Sequence, residues 1–568
     1  MLWRTLRTLG VYPERRRRAS FEMTPDSPSK KRKNSLAPEN REDIMCLDKQ
    51  KYHQRGEIIM AQGLLPFKYE EEEKKTTGMT ALAGMPVYLE LAEKMGLCAL
   101  IKKHLRVRTG GQGWTDPQIV MALILLNLAG GDCVEDIKVL EADDGFCEIL
   151  KKAQTHGLKR KERRELLSRW RKERKRVVPS ASAIFRYLEA FHDGEQEKKR
   201  ENGKAFIPEP NEHLRGFALV NAELARFANL QQCREIATLD QDATLAATNK
   251  ALALYCYEKY KAYQPLNTWW AEPGIILHTE FRDGNVPAGY EQLRVLQEAL
   301  KCLPQGVKKV RLRSDTAGYQ HTLLKYCEQG ENERFGRIEF AIGSDVTQEF
   351  KKAVAELEET DWHPLYKIIN GKREKTGAEW AEVCFVPNAI GHSKKGPVYR
   401  YLAKREAMVE QLVLPGIGQQ PALPFQTLNM SGKRYKLFGI VTNMDWEAER
   451  LIHWQHERCG KSEEAHAVMK DDLAGGKFPS GDFGENAAWW WIMVLSHNLN
   501  AIMKRQVLGE GWVSKRMKAI RFSLINLPGR VLKHARELII RLTKDHPCFD
   551  MLVAARKKIM LLQTDPSG

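Results

Sequence analysis

Hydrophobic and polar positions between residues 76 and 230 repeat at the three- and four-residue spacing of amphipathic helices. Residues 87–105 show this spacing, and Asp116, which is followed by proline, has the residue type of an N-cap for another helix. Further along, Ser180 or Ser182 precedes a third apolar face and would cap its helix. The pattern therefore predicts a helical region over residues 76–230.

The pattern changes near residue 233, where strand-like alternation replaces the helical spacing. The predicted strands cover residues 236–242, 263–270, 275–281, 307–314 and 337–343, and helical segments cover 288–303 and 320–327. This order predicts an antiparallel meander that continues into α/β units. Residues 346–444 mix strand and loop patterns, and from residue 448 to the end the chain is predicted to be helical.

Composition argues against a wholly disordered chain and against a membrane protein. Of 568 residues, 43% are hydrophobic and 29% are charged, as in ordinary globular proteins. The longest apolar run, residues 119–131, is shorter than the roughly 20 residues that a spanning helix needs, so we expect a buried core helix. The 11 cysteines have no zinc-binding spacing and suit a reducing cytosol. Charge blocks in residues 1–75 predict a basic, disordered leader.

The chain carries a large surplus of positive charge. Lys and Arg number 90 against 73 Asp and Glu, a net charge of +17, which points to a polyanionic partner. Residues 158–176 are the most basic stretch, with eleven Lys or Arg and three Glu. They fit either a solvated helical face or a surface that contacts a nucleic-acid phosphate backbone.

Three acidic residues are candidates for chemistry because of their placement. Asp242 ends the first predicted strand, Asp315 ends the fourth, and Glu463 lies in a later helix. Carboxylates at the ends of neighbouring strands, joined by one from a packed helix, would form an oxygen ligand set that suits Mg²⁺. Two such ions can hold the attacking and leaving oxygens of a phosphoryl transfer. In a basic protein, this combination predicts a nuclease or a strand-transfer enzyme.

Residues 78–562 resemble the transposases of bacterial insertion sequences, specifically the 1380 family of the insertion-sequence-4-like group. The segments that carry the resemblance are GWTDPQIVMALILLNLAGGDCVEDI, PSASAIFRYLEAF, TLDQDAT, YQPLNTWWAEPG, FRDGNVPAGYEQL, RLRSDTAGYQ, RCGKSEEAHAVMKDDLAGGKFPSGDFGENAAWWWIMVLSHNL and GRVLKHARELIIRL. The resemblance implies a ribonuclease-H-like α/β core, a DDE triad with two Mg²⁺ or Mn²⁺ ions per active site, and cut-and-paste transposition of DNA.

The resemblance implies that the triad consists of Asp242, Asp315 and Glu463. Asp242 precedes a small residue and threonine as in the family motif, but Asp240 stays a rival because alternation puts it on the same strand face. Glu463 is preferred to Glu464 because only Glu463 has a lysine seven residues later on the same helix face.

The family motif around the Glu also contains Tyr, Arg and Lys. Lys470 matches the Lys and Arg458 the Arg, and both are expected to hold DNA phosphates near the metal ions. Where the motif has Tyr, this chain offers Gln455 or His456.

With the resemblance, the chain divides into six expected segments of an α/β protein. They are a leader (1–75), a helical DNA-binding domain (76–230), the first part of a ribonuclease-H-like core (231–345), a β-rich insertion (346–444), the second part of the core (445–505) and a C-terminal helical region (506–568). Within the helical domain, the expected DNA contacts are Arg169, Arg171, Lys172, Arg174, Lys175 and Arg176.

The expected partners are double-stranded transposon ends and target DNA, bound by a homodimer or a higher synaptic complex in the bacterial cytoplasm, at the nucleoid and away from membranes. Trp362 and Trp380 are candidates, by residue type, for stacking on an unpaired base, with core packing as the other interpretation.

Two other functions stay open. One is an inactive or domesticated transposase that only binds DNA, and the other is a structure-selective nuclease.

Overall fold

The computed structural model describes residues 78–170, 176–201, 203–369, 371–387, 399–408, 425–430, 432–534 and 537–564. The expected leader lies outside the described residues, as do four of the expected DNA contacts, Arg171, Lys172, Arg174 and Lys175. The other expected site residues all lie within them.

The N-terminal region is helical, as its apolar spacing predicts. Its elements are β1 (Met79–Thr80), α1 (Pro86–Lys94), α2 (Leu97–His104), α3 (Asp116–Ala129), α4 (Ile137–Ala142), α5 (Asp144–Thr155), α6 (Arg160–Ser168), α7 (Ala181–Leu188), α8 (Gly194–Glu197) and α9 (Glu212–Gln231). The single helix expected over 87–105 is two helices, because Gly96 adopts a left-handed conformation with φ 65° between them.

Two helix starts were in question. Ser180, rather than Ser182, caps α7 by accepting a hydrogen bond from the backbone N–H of Ala183. The expected N-cap Asp116 is instead the first residue of α3, because Thr115 forms a capping box with Gln118.

The middle of the chain alternates strands and helices. Its elements are β2 (Ile236–Ala243), β3 (Ala246–Ala247), β4 (Ala262–Tyr263), β5 (Leu266–Trp270), β6 (Ile275–Glu280), α10 (Gln292–Lys301), β7 (Lys309–Ser314), α11 (His321–Gln329), β8 (Glu339–Ser344), α12 (Gln348–Ala355), β9 (His363–Ile369), β10 (Lys372–Val383), β11 (Arg400–Ala407), β12 (Thr427–Met430) and β13 (Lys433–Thr442). The five strands expected from alternation are all present, as β2 and β5 to β8.

These strands build one mixed sheet of ten strands in the order β6-β5-β2-β7-β8-β13-β11-β10-β9, with β12 also paired to β13. β2, β5 and β6 pair antiparallel, whereas β7 is parallel to β2 and β8 is parallel to β7. The strands of residues 346–444 are continuous with this sheet, because β13 pairs antiparallel with β8. Segments far apart in the chain are therefore connected by backbone hydrogen bonds.

The C-terminal part contains α13 (Ala448–His456), α14 (Lys461–Ala467), α15 (Phe483–Ile502), α16 (Glu510–Val513), α17 (Met517–Ile520), β14 (Gly529–His534), β15 (Glu537–Arg541) and α18 (Phe549–Leu561). The expectation of helix throughout 506–568 is corrected by β14 and β15, which form a small sheet with β1. Exposed and partly buried residues alternate along β15, which is the period of a strand and not of a helix.

A buried helix pair connects the N-terminal helices to the sheet. α3 is apolar around most of its circumference and packs against α15, in which all 20 residues are buried. In α15, Asn498 donates from its side chain to Ile276 O (2.8 Å) on the edge strand β6 and to the amide oxygen of Asn221 in α9 (2.7 Å). These bonds fix α15 and α9 to β6.

Among the described residues, no single helix is both long and apolar enough to cross a membrane. One bent pair, 116–129 with 134–142, meets that test on length and composition only.

Candidate active site

The first two candidate acids lie side by side at one edge of the sheet. In the parallel β2–β7 pair, Gln241 is opposite Ser314, and the next residues along the two strands are Asp242 and Asp315. Since neighbouring strands run about 4.8 Å apart, the two aspartates leave the sheet from adjacent positions. Strand pairing across more than 70 residues of sequence thus brings the two acids together.

A tight turn fixes Asp315 at this edge. Its side chain accepts a hydrogen bond from Ala317 N (3.0 Å) and so caps the short turn Thr316–Gly318. Gly343 on β8 lies beneath this turn, where an added Cβ would stand 3.1 Å from Thr316 N. A side chain at position 343 would therefore press on the segment that holds Asp315.

Asp242 is partly buried and responds to the charges of the other two acids. Burial raises its pKa to about 6, the cation of Arg458 opposes this rise, and the negative charges of Asp315 and Glu463 add to it. Arg458 Nη1 stands 3.3 Å from Asp242 Oδ2. The three carboxylates therefore occupy one electrostatic neighbourhood, with Arg458 as the counter-charge of Asp242.

Glu463 is an exposed residue in the first turn of α14, and a buried histidine anchors this helix. His466 Nε2 lies 3.3 Å from the side-chain nitrogen of Asn267, which is the β5 residue paired with Asp242. Burial lowers the pKa of His466 to about 3, so the ring is neutral at pH 7. The contact fixes the helix that carries Glu463 next to the strand position of Asp242.

The His466 contact belongs to a longer buried network. Asn267 accepts a hydrogen bond from Thr279 Oγ1 (2.7 Å), and Thr279 accepts one from Trp490 Nε1 (2.9 Å). The network thus joins α14, β5, β6 and α15 through polar side chains that satisfy one another. Nothing in the residue types alone singled out His466 or Asn267.

The rival acid Asp240 is engaged in a different way. Arg313 Nε donates to its Oδ1 (2.6 Å) and Nη2 to its Oδ2 (2.8 Å), and both side chains are almost fully buried. The same guanidinium donates to Trp454 O (2.6 Å) at the end of α13. Both carboxylate oxygens of Asp240 therefore have a partner, whereas Asp242 makes one longer contact, from its Oδ2 to Arg458. Sequence reasoning missed Arg313. It lies on β7, two residues before Asp315, just as Asp240 lies on β2, two residues before Asp242.

The described candidates for DNA contact have partners within the protein. Lys470 Nζ donates to Leu245 O (2.9 Å), in the segment that follows Asp242. Arg169 donates to Gly113 O (2.8 Å) and Gly110 O (2.9 Å) in a surface loop. Arg176 lies 4.0 Å from a carboxylate oxygen of Glu141 and donates to Val178 O.

The tryptophans considered for base stacking sit in the protein interior or against neighbouring side chains. Trp362 is 6% exposed, with the Arg405 guanidinium 4.1 Å from its ring centre. Trp380 is partly buried and lies 4.8 Å, centre to centre, from the ring of His363. Both arrangements match the alternative interpretation of core packing.

Within the described residues, no group of three or more His, Cys, Asp or Glu side chains is arranged closely enough to hold a metal ion. The donor chemistry nevertheless suits a hard divalent cation, because three carboxylates influence one another and Asp242 already attracts a cation in Arg458. To bind a metal ion, the three carboxylates would have to come closer together, and Arg458 would have to move away from Asp242.

The family described as "Transposase DDE domain group 1" matches residues 73–564, most of the sequence. No curated protein matches the chain. Among solved structures, the chain is similar to a piggyBac transposase in a synaptic complex with hairpin DNA, with 10% identity, a TM-score of 0.38, and 79% of this chain and 82% of that chain covered.

Proposed function

The chain belongs to the transposase DDE domain group 1 family and is a DNA transposase, and we propose that it binds the terminal inverted repeats of its element and moves the element by cut and paste. Within the family we assign it to the 1380 group of insertion sequences, on the motifs quoted above. In a bacterial cell it would act in the cytoplasm, on nucleoid DNA.

Strand order supports the further proposal of a ribonuclease-H-like core. The antiparallel strands β6, β5 and β2 are followed by β7 and β8, both parallel to β2, which is the order expected for such a core. The strands of 346–444 then correspond to the β-rich insertion, and the helices before residue 231 to the DNA-binding domain. The two aspartates lie at the edge where β2 and β7 end.

We assign the catalytic acids to Asp242, Asp315 and Glu463, which would hold two Mg²⁺ or Mn²⁺ ions. Such ions would stabilise the charge that develops when a phosphodiester bond is exchanged. Asp242 and Asp315 orient the site from adjacent strands, and α14 brings in Glu463. The observation that carries this assignment is the strand register that brings Asp242 and Asp315 to neighbouring positions, and the charges of Asp315 and Glu463 both act on Asp242.

Basic residues near the acids would position the DNA. Arg458, once released from Asp242, and Lys470, beside the segment that follows Asp242, would contact phosphates near the cleaved bond. Residues 169–176 would contribute more distant phosphate contacts. Since two transposon ends must be cut together, we propose a homodimer or a larger synaptic assembly.

The experiment is cleavage of a supercoiled plasmid that carries the two element ends, with Mg²⁺ and purified protein. Asp315→Asn should lower the cleavage rate about 1000-fold or more, because it removes a carboxylate that acts only with its partners. Asp550→Asn, an exposed acid on α18, is the matched control and should cut at the wild-type rate.

Other outcomes lead to the other functions. Equal cutting by Asp315→Asn and wild type would discard the acid assignment. Cutting without strand joining would indicate a structure-selective nuclease. Specific binding of the ends by a wild-type protein that never cuts them would indicate an inactive, DNA-binding relative.

A further inference from the structure

An exposed aromatic hairpin rises from the same edge of the sheet as the candidate acids. The chain leaves β2 just after Asp242, forms the two-stranded pair β3–β4, and returns at β5. At its base, Thr244 N donates to Pro265 O (3.0 Å). The hairpin, residues 244–265, therefore starts and ends on the two strands beside the acids.

Backbone hydrogen bonds hold the outer part of the hairpin in one conformation. Tyr255 pairs with Lys261 in an antiparallel bridge, and Cys256 N donates to Tyr260 O (2.9 Å). Lys259 takes a left-handed conformation, φ 66°, to close the turn. Cys256 is buried and anchors the end of the hairpin, so the neighbouring side chains project from a fixed support.

The side chains on this support are large, aromatic and exposed. Tyr257 is 74% exposed and Tyr255 64%, among the most exposed aromatic side chains of the described residues. Burial is the largest cause that raises the pKa of Tyr257, followed by Glu258 and Cys256, with the charge of Asp315 last. The hairpin begins just after Asp242 on β2 and returns on β5, where Asn267 pairs with Asp242, so both of its ends are beside that acid.

Charge on the hairpin also suits a nucleic acid. Between residues 248 and 261 the chain has three lysines, Lys250, Lys259 and Lys261, and one acid, Glu258. Exposed aromatic rings and lysines on one segment are a combination by which proteins bind unpaired bases, since the rings stack and the cations attract phosphates.

We propose that Tyr257 is a stacking platform for an unpaired base of the DNA strand held at the active site, with Tyr255 and the hairpin lysines supporting the same strand. This inference rests on the proposed function for the identity of the ligand. It gives the stacking role to an exposed ring on the hairpin that begins after Asp242, instead of the two tryptophans, and it concerns strand binding, not the chemical step.

The test measures binding without cleavage, in EDTA, using fluorescently labelled oligothymidylate of 12 nucleotides. A 12-unit abasic oligonucleotide with the same phosphates is the matched probe. Tyr257→Ala should weaken oligothymidylate binding about 5- to 100-fold, the effect of losing one stacked base. It should leave abasic binding unchanged, and Tyr257→Phe, which keeps the ring, should bind like wild type.

A second measurement locates the contact directly. Oligothymidylate with one 5-iodouracil should photocross-link to Tyr257 in the wild-type chain, as read by mass spectrometry. Unchanged oligothymidylate affinity of Tyr257→Ala, or equal losses on both probes, would overturn the proposal. An altered self-association with unchanged DNA affinity would also overturn it and would make the hairpin a contact between copies. Because no cutting is needed, the outcome is independent of the plasmid assay.

Discussion

Two ion pairs on one strand differ in almost every respect that bears on function. Asp240 and Arg313 make two short hydrogen bonds, with 6% and 2% of their side chains exposed. Two residues further on, Asp242 and Arg458 share a single contact of 3.3 Å, with 21% and 10% exposed. The first pair has the geometry of a permanent structural bond, and the second that of a counter-charge that another cation can replace.

This difference explains why strand alternation could not separate the two acids. Asp240 and Asp242 point to the same face, and burial raises the pKa of each. What separates them is the partner: the guanidinium of Arg313 opposes the rise for Asp240, whereas Asp315 and Glu463 reinforce it for Asp242. A carboxylate surrounded by other carboxylates is the one that has use for a metal ion.

The largest expected effect on stability comes from breaking the buried pair of Asp240 and Arg313. Arg313→Met should lower the free energy of unfolding by about 3–5 kcal/mol, because it leaves the Asp240 carboxylate buried without a counter-charge. Urea titration measures the loss. The matched control is Arg311→Met, two residues earlier on β7, whose partly exposed pair with Glu339 should be worth about 1 kcal/mol or less.

A second variant tests the cause of that loss. Asp240→Asn combined with Arg313→Met removes the buried charge as well, and should recover a large part of the stability. If Arg313→Met were no more destabilising than Arg311→Met, the Asp240–Arg313 pair would not be the structural bond described here.

The next effect is the pH dependence of stability that Asp242 causes. Because the pKa of Asp242 is raised to about 6 from an ordinary 3.8, the folded chain holds a proton that the unfolded chain releases. The free energy of unfolding should therefore fall from about pH 4 to about pH 6, relative to Asp242→Asn, and level off above. The shift corresponds to at most roughly 3 kcal/mol.

Unfolding of wild type and Asp242→Asn in EDTA, between pH 4 and pH 7.5, measures this difference directly. Asp550→Asn, at an exposed position on α18, is measured in parallel as the control for loss of an exposed carboxylate. A flat difference for Asp242→Asn would mean that neither burial nor the neighbouring acids raise the pKa of its carboxylate.

The comparison also shows how far the sequence alone could lead. Alternation and turn residues were sufficient for β2, which carries Asp242, and for β7, which ends just before Asp315, because both strands are short and well bounded. The contacts around these acids were beyond prediction, since Arg313 pairs with Asp240, Arg458 with Asp242 and His466 with Asn267, and the two members of each pair are distant in the chain. At the C-terminal end, β14 pairs with β1, more than 400 residues earlier, whereas its other partner, β15, is close in the chain and was missed despite its alternation.

The smallest effect on stability is expected at Arg458, where the more informative result is a shift in the pH dependence. Arg458→Gln should change the free energy of unfolding at pH 7.5 by about 1 kcal/mol or less. The lost attraction to Asp242 is offset by no longer burying a guanidinium whose Nε has no hydrogen-bond partner among the described residues.

The same change should raise the pKa of Asp242 further, because the cation that opposes its rise is gone. The midpoint of the pH-dependent stability difference should therefore move to higher pH in Arg458→Gln and stay in place in Arg458→Lys, which keeps the charge. An unmoved midpoint in both variants would show that Arg458 does not act as the counter-charge of Asp242, and the contrast between the two ion pairs would then rest on burial alone.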